Sequence, residues 1–327
     1  MAEFVFENII EAVRSLCPNH IIINCLTKDG FAIRHQKFNY ILLSDSSIGI
    51  INCTSSDFYR GESSVHNTCF PSLNRISDCD NKIVSLLKTY DFQLFLESTN
   101  EIKEWRNHNF HLDLWAICQH YDFVTPMIDI TFEIAVAAFF ATHDFDWRIN
   151  QYILKKDGVG QLIKYSETPE IEGSHIKLIG MQPFDRPGNQ DGAGLWLESG
   201  KDMLQNSTVI KFKQDYEVNL RLERAMLCGS DVFFPYEPLT EIAHLIKSKN
   251  IVTNAAIDRF YQDAEKWLKN VPDKNQLQKI LKSKNIQIVD APLALGFMMR
   301  DIQPPVYEGA RKIVQRPVLD KYLNLKR

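Results

Sequence analysis

Apolar residues near the start of the chain recur at the spacing of an amphipathic helix. Phe6, Ile9, Val13 and Leu16 fall on one face of such a helix, and Pro18 follows the last of them. Because proline cannot continue a helix, the pattern predicts a short helix that ends before Pro18. We expect its apolar face to pack on the domain that follows.

The next stretch has the pattern of short strands. Apolar runs at residues 21–23, 40–43 and 48–51 are separated by polar segments, and Gly30 marks a turn after the first run. These runs predict a β-rich segment. Together with the first helix it makes up a predicted N-terminal segment, residues 1–57.

Helical spacing returns between residues 81 and 121 and is followed by a buried strand and a buried helix. Pro126 disfavours helix at the residue before it, so we expect the chain to become extended there. Residues 127–130 then have the pattern of a short buried strand. Residues 134–141 are apolar on nearly all sides, which predicts a central helix with Thr131 able to cap it.

The central helix carries two phenylalanines, Phe139 and Phe140, which we expect to be largely buried. Further along, the stretch from Pro183 to Gly192 is a predicted loop because of its proline and glycine content. The remaining patterns predict a mixed α+β core over residues 58–249, with strands at residues 160–165, 175–179, 195–197 and 208–213 and a helix at residues 239–246. A further helix is predicted after this core, at residues 255–268.

Two segments near the end of the chain, residues 245–251 and 280–286, are near copies. Both have the composition of basic helix C-termini with asparagine in a left-handed cap. Two copies are too few for a solenoid. We expect residues 250–327 to form a helical extension with a basic tail. That tail is either solvated or in contact with a partner or nucleic acid.

Composition changes this picture little. Apolar residues make up 45% and charged residues 24%, as in ordinary globular proteins, and the net charge of −4 does not indicate a nucleic-acid-binding protein. The seven cysteines show no C-x-x-C spacing, so neither a zinc site nor a disulfide framework is indicated. Without a secretion signal or a membrane-spanning run, we expect a cytoplasmic protein that makes no membrane contact.

The stretch Phe58-Tyr59-Arg60-Gly61-Glu62 is the first that indicates chemistry. Arg60 carries a planar, permanently charged guanidinium that suits phosphate or carboxylate. Gly61 permits a sharp turn or the close approach of a ligand. The alternative is a turn at a strand end, with an arginine that is solvated or paired for structural reasons.

A second stretch, Gln119-His120-Tyr121, precedes the predicted buried strand. His120 is a candidate ligand contact, and the alternative is a core histidine bonded to the backbone. Asp129 and Thr131 lie at the end of that strand, beside the N-terminus of the central helix, where a ligand cleft is expected.

Several stretches occur in a fixed order: Tyr59-Arg60-Gly61, Phe70-Pro71-Ser72-Leu73 with Arg75, the run from Gln119 to Thr131, Ala137-Ala138-Phe139-Phe140-Ala141, the loop with Arg186, Gln190, Gly192 and Gly194, and Val232-Phe233-Phe234-Pro235. In this order they resemble the FRG domain, a family named for a Phe-Arg-Gly tripeptide that is Tyr-Arg-Gly here. The resemblance covers roughly residues 58–249. Asp122 stands where the family has glycine, Thr125-Pro126 reverses the common order, and Met127 replaces an arginine.

FRG domains look like distant members of the ADP-ribosyltransferase fold, so the resemblance implies a mixed-sheet core of that type with flanking helices. In that fold an arginine holds the dinucleotide pyrophosphate and a Glu steadies the ribose cation as nicotinamide leaves. The resemblance implies a catalytic role for Gln190 or Glu198. It implies cofactor-binding roles for Arg60, Gly61, His120, Tyr121, Asp129 and Thr131. The sequence itself shows no cluster of metal ligands, so no metal site is expected.

The resemblance therefore implies an effector in toxin or anti-phage defence systems that uses NAD as its substrate. Such a protein transfers ADP-ribose to a macromolecular target or hydrolyses NAD. The alternative is a non-catalytic module that binds a nucleotide or phosphate, so whether the chain is an enzyme stays open. A protein partner could bind through residues 250–327.

Overall fold

The computed structural model describes residues 4–17, 39–42, 48–51, 57–146, 148–149, 151–166, 174–180, 182–190, 192–197, 200–225, 233 and 237–290. The predicted strand at residues 21–23, the candidate Glu198 and the basic tail lie outside these residues.

Thirteen strands lie within the described residues. They are β1 Val5–Phe6, β2 Asn39–Leu42, β3 Ile48–Ile51, β4 Asp57–Glu62, β5 Met127–Thr131, β6 His143–Asp146, β7 Gln151–Leu154, β8 Val159–Ser166, β9 Ser174–Leu178, β10 Gly192–Leu197, β11 Ser207–Lys213, β12 Ile251–Thr253 and β13 Gln287–Val289.

The helices of the described residues are α1 Ile9–Leu16, α2 Ser72–Arg75, α3 Cys79–Ser98, α4 Asn100–Asn107, α5 Leu114–His120, α6 Ile134–Thr142, α7 Asp185–Asn189, α8 Tyr216–Ala225, α9 Pro238–Ser248, α10 Asn254–Trp267 and α11 Lys274–Ser283, with a 3₁₀ helix at Met203–Asn206.

Seven strands form one mixed sheet in the order β1-β11-β8-β4-β5-β10-β9. β1 is parallel to β11, and the other neighbours are antiparallel. The predicted α+β class is therefore confirmed. The N-terminal strand β1 belongs to the central sheet, and α1 packs beside it on the core.

Side chains alternate between the two faces of the sheet because successive residues of a strand point in opposite directions. Tyr59 and Leu162 pack with α1 and α6 in one core cluster. Their neighbours Phe58 and Ile163 pack in a second cluster, which includes Met203 of the 3₁₀ helix. The sheet is therefore covered on both faces.

Helix α6 is central, as predicted, and all its residues except Phe140 are buried. Phe139 is fully buried, and Phe140 is partly buried and packs against the same core cluster. The N-cap is Glu133, whose side chain accepts from the backbone N–H of Ala135 at 3.1 Å. Thr131 lies two residues too early to cap α6.

The long helix α3 holds the C-terminal helices in place. Its Lys88 donates to the carbonyl oxygens of Lys249 and, at 2.6 Å, Ile251. Its Asp91 accepts from the backbone N–H of Thr253 at 3.3 Å. These bonds satisfy backbone groups where α9 ends and β12 begins, so the C-terminal helices are fixed on α3.

The two near-copy segments end their helices differently. Asn285, after α11, has a φ of 55°, as predicted for a left-handed cap. Asn250 does not have a positive φ, so that prediction was wrong for the first copy. Lys249 is already extended, with φ −75° and ψ 139°, because β12 follows α9 after a shorter connection.

The predicted loop between Pro183 and Gly192 is partly helical. It contains the five-residue helix α7. Arg186 within this helix is buried and bonded to other elements, which explains why a segment rich in proline and glycine is ordered here.

Candidate functional site

The two strands that carry the sequence motifs are neighbours but hardly pair. β4 pairs with β8 along its whole length, whereas its ladder with β5 consists of one pair, Tyr59 and Thr131. A cavity with a volume of about 680 Å³ is lined by residues of both strands. Arg60, Asp129 and Thr131 all line it, so the predicted convergence of these three is confirmed.

Arg60 connects the two strands. Its Nη1 donates to the carbonyl oxygen of Asp129 at 2.9 Å, and its Nε donates to Oε1 of Glu62 at 3.1 Å. Nη2 makes no hydrogen bond with the part of the chain that the structure describes, and the side chain is 23% exposed. Arg60 is thus a structural partner with one nitrogen free to meet a ligand.

Glu62 is a site residue that the sequence reasoning missed. Oε1 binds Arg60 and Oε2 accepts from Nε2 of Gln161, so both carboxylate oxygens are engaged. The signal was present in the sequence. Residues two apart on a strand share a face, so a strand that contains Arg60 places Glu62 beside it.

Glycine is needed at position 61 because helix α6 packs against it, and the chain makes no turn there. Gly61 lies within β4, and a Cβ built on it is 1.7 Å from the carbonyl oxygen of Ala137 in α6. Only a residue without Cβ allows β4 and α6 this close to each other. The expectation of a sharp turn was wrong, and the close approach is made by protein backbone.

Thr131 and Asp129 project from β5 but differ in what they contact. The Thr131 hydroxyl donates to the carbonyl oxygen of Gln190 at 2.8 Å and accepts from the N–H of Glu133 at 3.0 Å. The Asp129 carboxylate makes no hydrogen bond with the described residues, and its Oδ1 is buried. Thr131 therefore positions backbone, and Asp129 is available to a ligand.

His120 ends α5 and is buried, and its Nε2 has no hydrogen-bond partner among the described residues. The ring lies against Gly192, where a Cβ would be 3.1 Å from Nε2. Burial lowers the pKa of His120, although the negative charge of Asp129 and the side chain of Gln190 act in the opposite direction. Near neutral pH the ring is a neutral imidazole beside the cavity, and the alternative of a side chain bonded to backbone is not what the structure shows.

The first motif, the second motif and the strand β5 that follows them all fall within one matched segment. Residues 55–147 match the family model of the FRG domain. The chain contains an FRG domain. A search of curated proteins and a search of solved structures each found no match.

The structure explains two departures from the FRG pattern. Asp122 has a φ of 59°, so the glycine usual at this position is replaced by one of the few residues that tolerate a left-handed backbone. Met127, in the place of an arginine, is fully buried against Gly194. A second cation therefore does not come from β5 in this FRG domain.

Tyr121 is not among the residues that line the cavity of the FRG domain. Its hydroxyl donates to Glu237, and the guanidinium of Arg186 lies 4.7 Å from the centre of its ring. Tyr121 lies in the core between α5, α7 and α9, so the structure does not support its predicted cofactor-binding role.

Neither predicted catalytic residue supplies a carboxylate within the described FRG structure. Gln190 lines the cavity, but it is buried and its Nε2 donates to the carbonyl oxygen of Phe233 at 2.6 Å. Glu198 lies outside the described residues. The carboxylates that line the cavity are instead Glu62, Asp122, Asp129 and Asp144.

Asp144 is another lining residue that the sequence reasoning missed. Burial opposes its ionisation, but the hydrogen bonds from Lys155, at 2.8 Å, and from Ser63 lower the pKa of Asp144. Asp144 is therefore an ionised and partnered carboxylate. Aromatic rings also border the cavity, from Phe70, Phe123, Phe140, Phe145 and Tyr152.

The described residues provide neither a metal-binding cluster nor a membrane-spanning helix. No group of three or more His, Cys, Asp or Glu side chains there is arranged to hold a metal ion. Among the helices of those residues, none is both long and apolar enough to cross a membrane.

Proposed function

We propose that the FRG domain binds NAD in the cavity between β4 and β5 and splits it between nicotinamide and ribose. One observation carries this proposal: the Asp129 carboxylate and Nη2 of Arg60 meet in one cavity without partners among the described residues, beside the buried ring of His120. Leaving a buried polar atom unpaired costs about 1–3 kcal/mol, so such atoms are typical of ligand sites.

NAD fits the chemistry of these groups. Its nicotinamide ring carries a positive charge that a carboxylate such as Asp129 attracts, and its diphosphate suits the free nitrogen of Arg60. Phe140 and Tyr152 offer ring faces to a base. The cavity volume of about 680 Å³ lies within the usual range for small-molecule sites.

In the proposed reaction the bond between C1′ of the ribose and the nicotinamide nitrogen breaks, and its electron pair stays on the nicotinamide. The ribose carbon becomes cation-like, and the negative charge of Asp129 stabilises it. The oxygen of water, or of a group on a macromolecular target, then bonds to C1′ and releases a proton. The products are nicotinamide and ADP-ribose, free or attached to the target. The effector role in toxin or defence systems is part of this proposal.

A second candidate is a non-catalytic module that binds a nucleotide or phosphate. It is favoured by Gln190, whose amide is engaged with Phe233, and by Glu62, whose two oxygens are both bonded. These contacts leave Asp129 as the lining carboxylate on which the chemistry depends.

One experiment separates the two candidates. The purified chain is incubated with NAD, nicotinamide is measured by chromatography, and NAD binding is measured by calorimetry. Asp129→Asn is compared with Asp258→Asn, a control at an exposed position of α10. Nicotinamide release that falls at least about tenfold in Asp129→Asn, with binding retained, supports the enzyme. Binding without release supports the module, and neither binding nor release contradicts the proposed NAD site.

A further inference from the structure

Arg75 is a cation at the cavity that takes no part in the proposed reaction. It is the last residue of α2, it is exposed, and it lines the same cavity as Arg60. It makes no ion pair or hydrogen bond with the described residues. An arginine that borders a cavity with its whole guanidinium unpaired is a candidate contact for an anionic ligand.

The backbone that carries Arg75 is fixed to the start of β5. The Ser72 hydroxyl accepts from the N–H of Thr125 at 2.9 Å and donates to its carbonyl oxygen at 3.2 Å. The N–H of Leu73 donates to the same oxygen at 3.1 Å, and the Leu73 side chain is buried. These contacts hold the short helix α2 against the chain that leads into β5, so Arg75 is presented from a rigid position.

Arg60 and Arg75 are close enough for their charges to interact. Partial desolvation at the cavity lowers the pKa of Arg75, and the positive charge of Arg60 lowers it further, against the opposing charges of Glu62 and Asp129. Glu62 is the acidic partner of Arg60 and is also bound by Gln161, so it does not neutralise both arginines. Arg60 and Arg75 thus place two guanidinium groups at one cavity, each with nitrogens that no described residue binds, and an anion can accept hydrogen bonds from both.

We infer that Arg75 and the free Nη2 of Arg60 form a two-arginine anion site that binds the diphosphate of a dinucleotide. Arg75, with its whole fork free, contacts one phosphate through two parallel hydrogen bonds, and Nη2 of Arg60 contacts the adjacent phosphate. Arg75 thereby provides the second cation that the replacement of an arginine by Met127 removes from β5. This inference rests on the proposed function for the identity of the ligand.

The test compares ligands that differ in phosphate number. Binding of ADP-ribose, AMP, NAD and inorganic pyrophosphate is measured by calorimetry for the wild type, Arg75→Gln and Arg75→Lys. The control is Lys103→Gln, which removes the same charge from an exposed position of α4. Thermal melts check that each variant is folded.

We expect the wild type to bind ADP-ribose at least about tenfold more tightly than AMP. Arg75→Gln removes that preference and weakens pyrophosphate binding by a similar factor. Arg75→Lys recovers part of the affinity, because the charge remains without the fork. Lys103→Gln behaves as the wild type.

The other outcomes separate this inference from the proposed function. Binding of NAD with unchanged affinity in Arg75→Gln overturns the role of Arg75 and leaves the NAD site intact. Arg75-dependent binding of pyrophosphate without binding of NAD supports the anion site and contradicts the proposed function. A wild type that binds none of the four ligands overturns both.

Discussion

Nη1 of Arg60 donates to the carbonyl oxygen of Asp129 at 2.9 Å, and this bond joins two strands that otherwise share one backbone pair. The Arg60 side chain thus replaces part of the backbone hydrogen bonding that β4 and β5 lack. The same arginine reaches Glu62 on its own strand. Arg60 is therefore expected to contribute both to stability and to ligand binding.

Replacement of Arg60 tests this double role. Arg60→Ala removes the bonds to Asp129 and Glu62 and is expected to lower the free energy of unfolding by about 2–4 kcal/mol. Arg60→Lys keeps the charge and is expected to lose less stability. It is expected to weaken ligand binding about tenfold, because lysine lacks the planar, forked guanidinium of arginine. Urea denaturation and calorimetry measure the two effects.

The partner variant Glu62→Gln completes a double-mutant cycle with Arg60→Ala. A coupling of about 1 kcal/mol or more shows that the pair stabilises the site. If Arg60→Ala leaves stability unchanged, the connection between β4 and β5 through Arg60 is contradicted.

Gly61→Ala tests the contact between β4 and α6. Its Cβ would lie 1.7 Å from the carbonyl oxygen of Ala137, which is backbone and cannot move alone. We expect a loss of more than about 3 kcal/mol, or failure to fold. In the control Gly200→Ala the new Cβ enters open space, but the backbone has a φ of +89°. This variant is expected to lower the free energy of unfolding by about 1–2 kcal/mol. Equal losses in the two variants, measured by thermal unfolding, would contradict the close approach.

Replacement of Arg186 tests the buried contacts that this residue makes with His120, Thr240 and Glu237. Arg186 donates to the carbonyl oxygen of His120 at 3.2 Å and to Oγ1 of Thr240 at 2.8 Å, and its Nε lies 3.8 Å from the buried Glu237. Arg186→Met leaves the Glu237 charge without this cation and is expected to lower stability by about 3–5 kcal/mol. The double variant with Glu237→Gln should recover part of the loss. No recovery would show that the charge of Glu237 is not the cause.

His120 and His143 predict a dependence of stability on pH. Burial lowers the pKa of both below the ordinary 6.5, so the unfolded chain binds more protons just below that pH. The free energy of unfolding is therefore expected to fall as pH falls from 6.5 towards the folded-state pKa, by up to about 1.4 kcal/mol per pH unit for each proton. His120→Gln should reduce this slope. Equal slopes in denaturation series at several pH values would contradict the assignment for His120.

The local pattern of apolar and polar residues was sufficient to predict many of the helices and strands. The apolar spacing predicted α1, β5 and α6, because burial of one face or of all faces depends on residues close in sequence. The segment with Arg60, His120 and Asp129 was also found from the sequence, since the family pattern is a pattern of residue types in order.

The cap of α6 shows where local pattern reaches its limit. Thr131 has the right residue type, but its hydroxyl binds the carbonyl oxygen of Gln190, and Glu133 takes the cap. The competing partner lies far along the chain, so the residues around the helix start could not indicate it. The same holds for Asn250, whose backbone is set by the nearby start of β12.

The sequence alone determined that this protein has an α+β core with a central apolar helix, and that Arg60, Asp129 and Thr131 approach each other. Only the tertiary structure decided that β4 and β5 share a single pair, that Gly61 meets α6, and that Arg75 joins Arg60 at one cavity. The physical reason is that periodicity fixes which face of an element is buried. The partner of that face is fixed by packing among segments far apart in the chain.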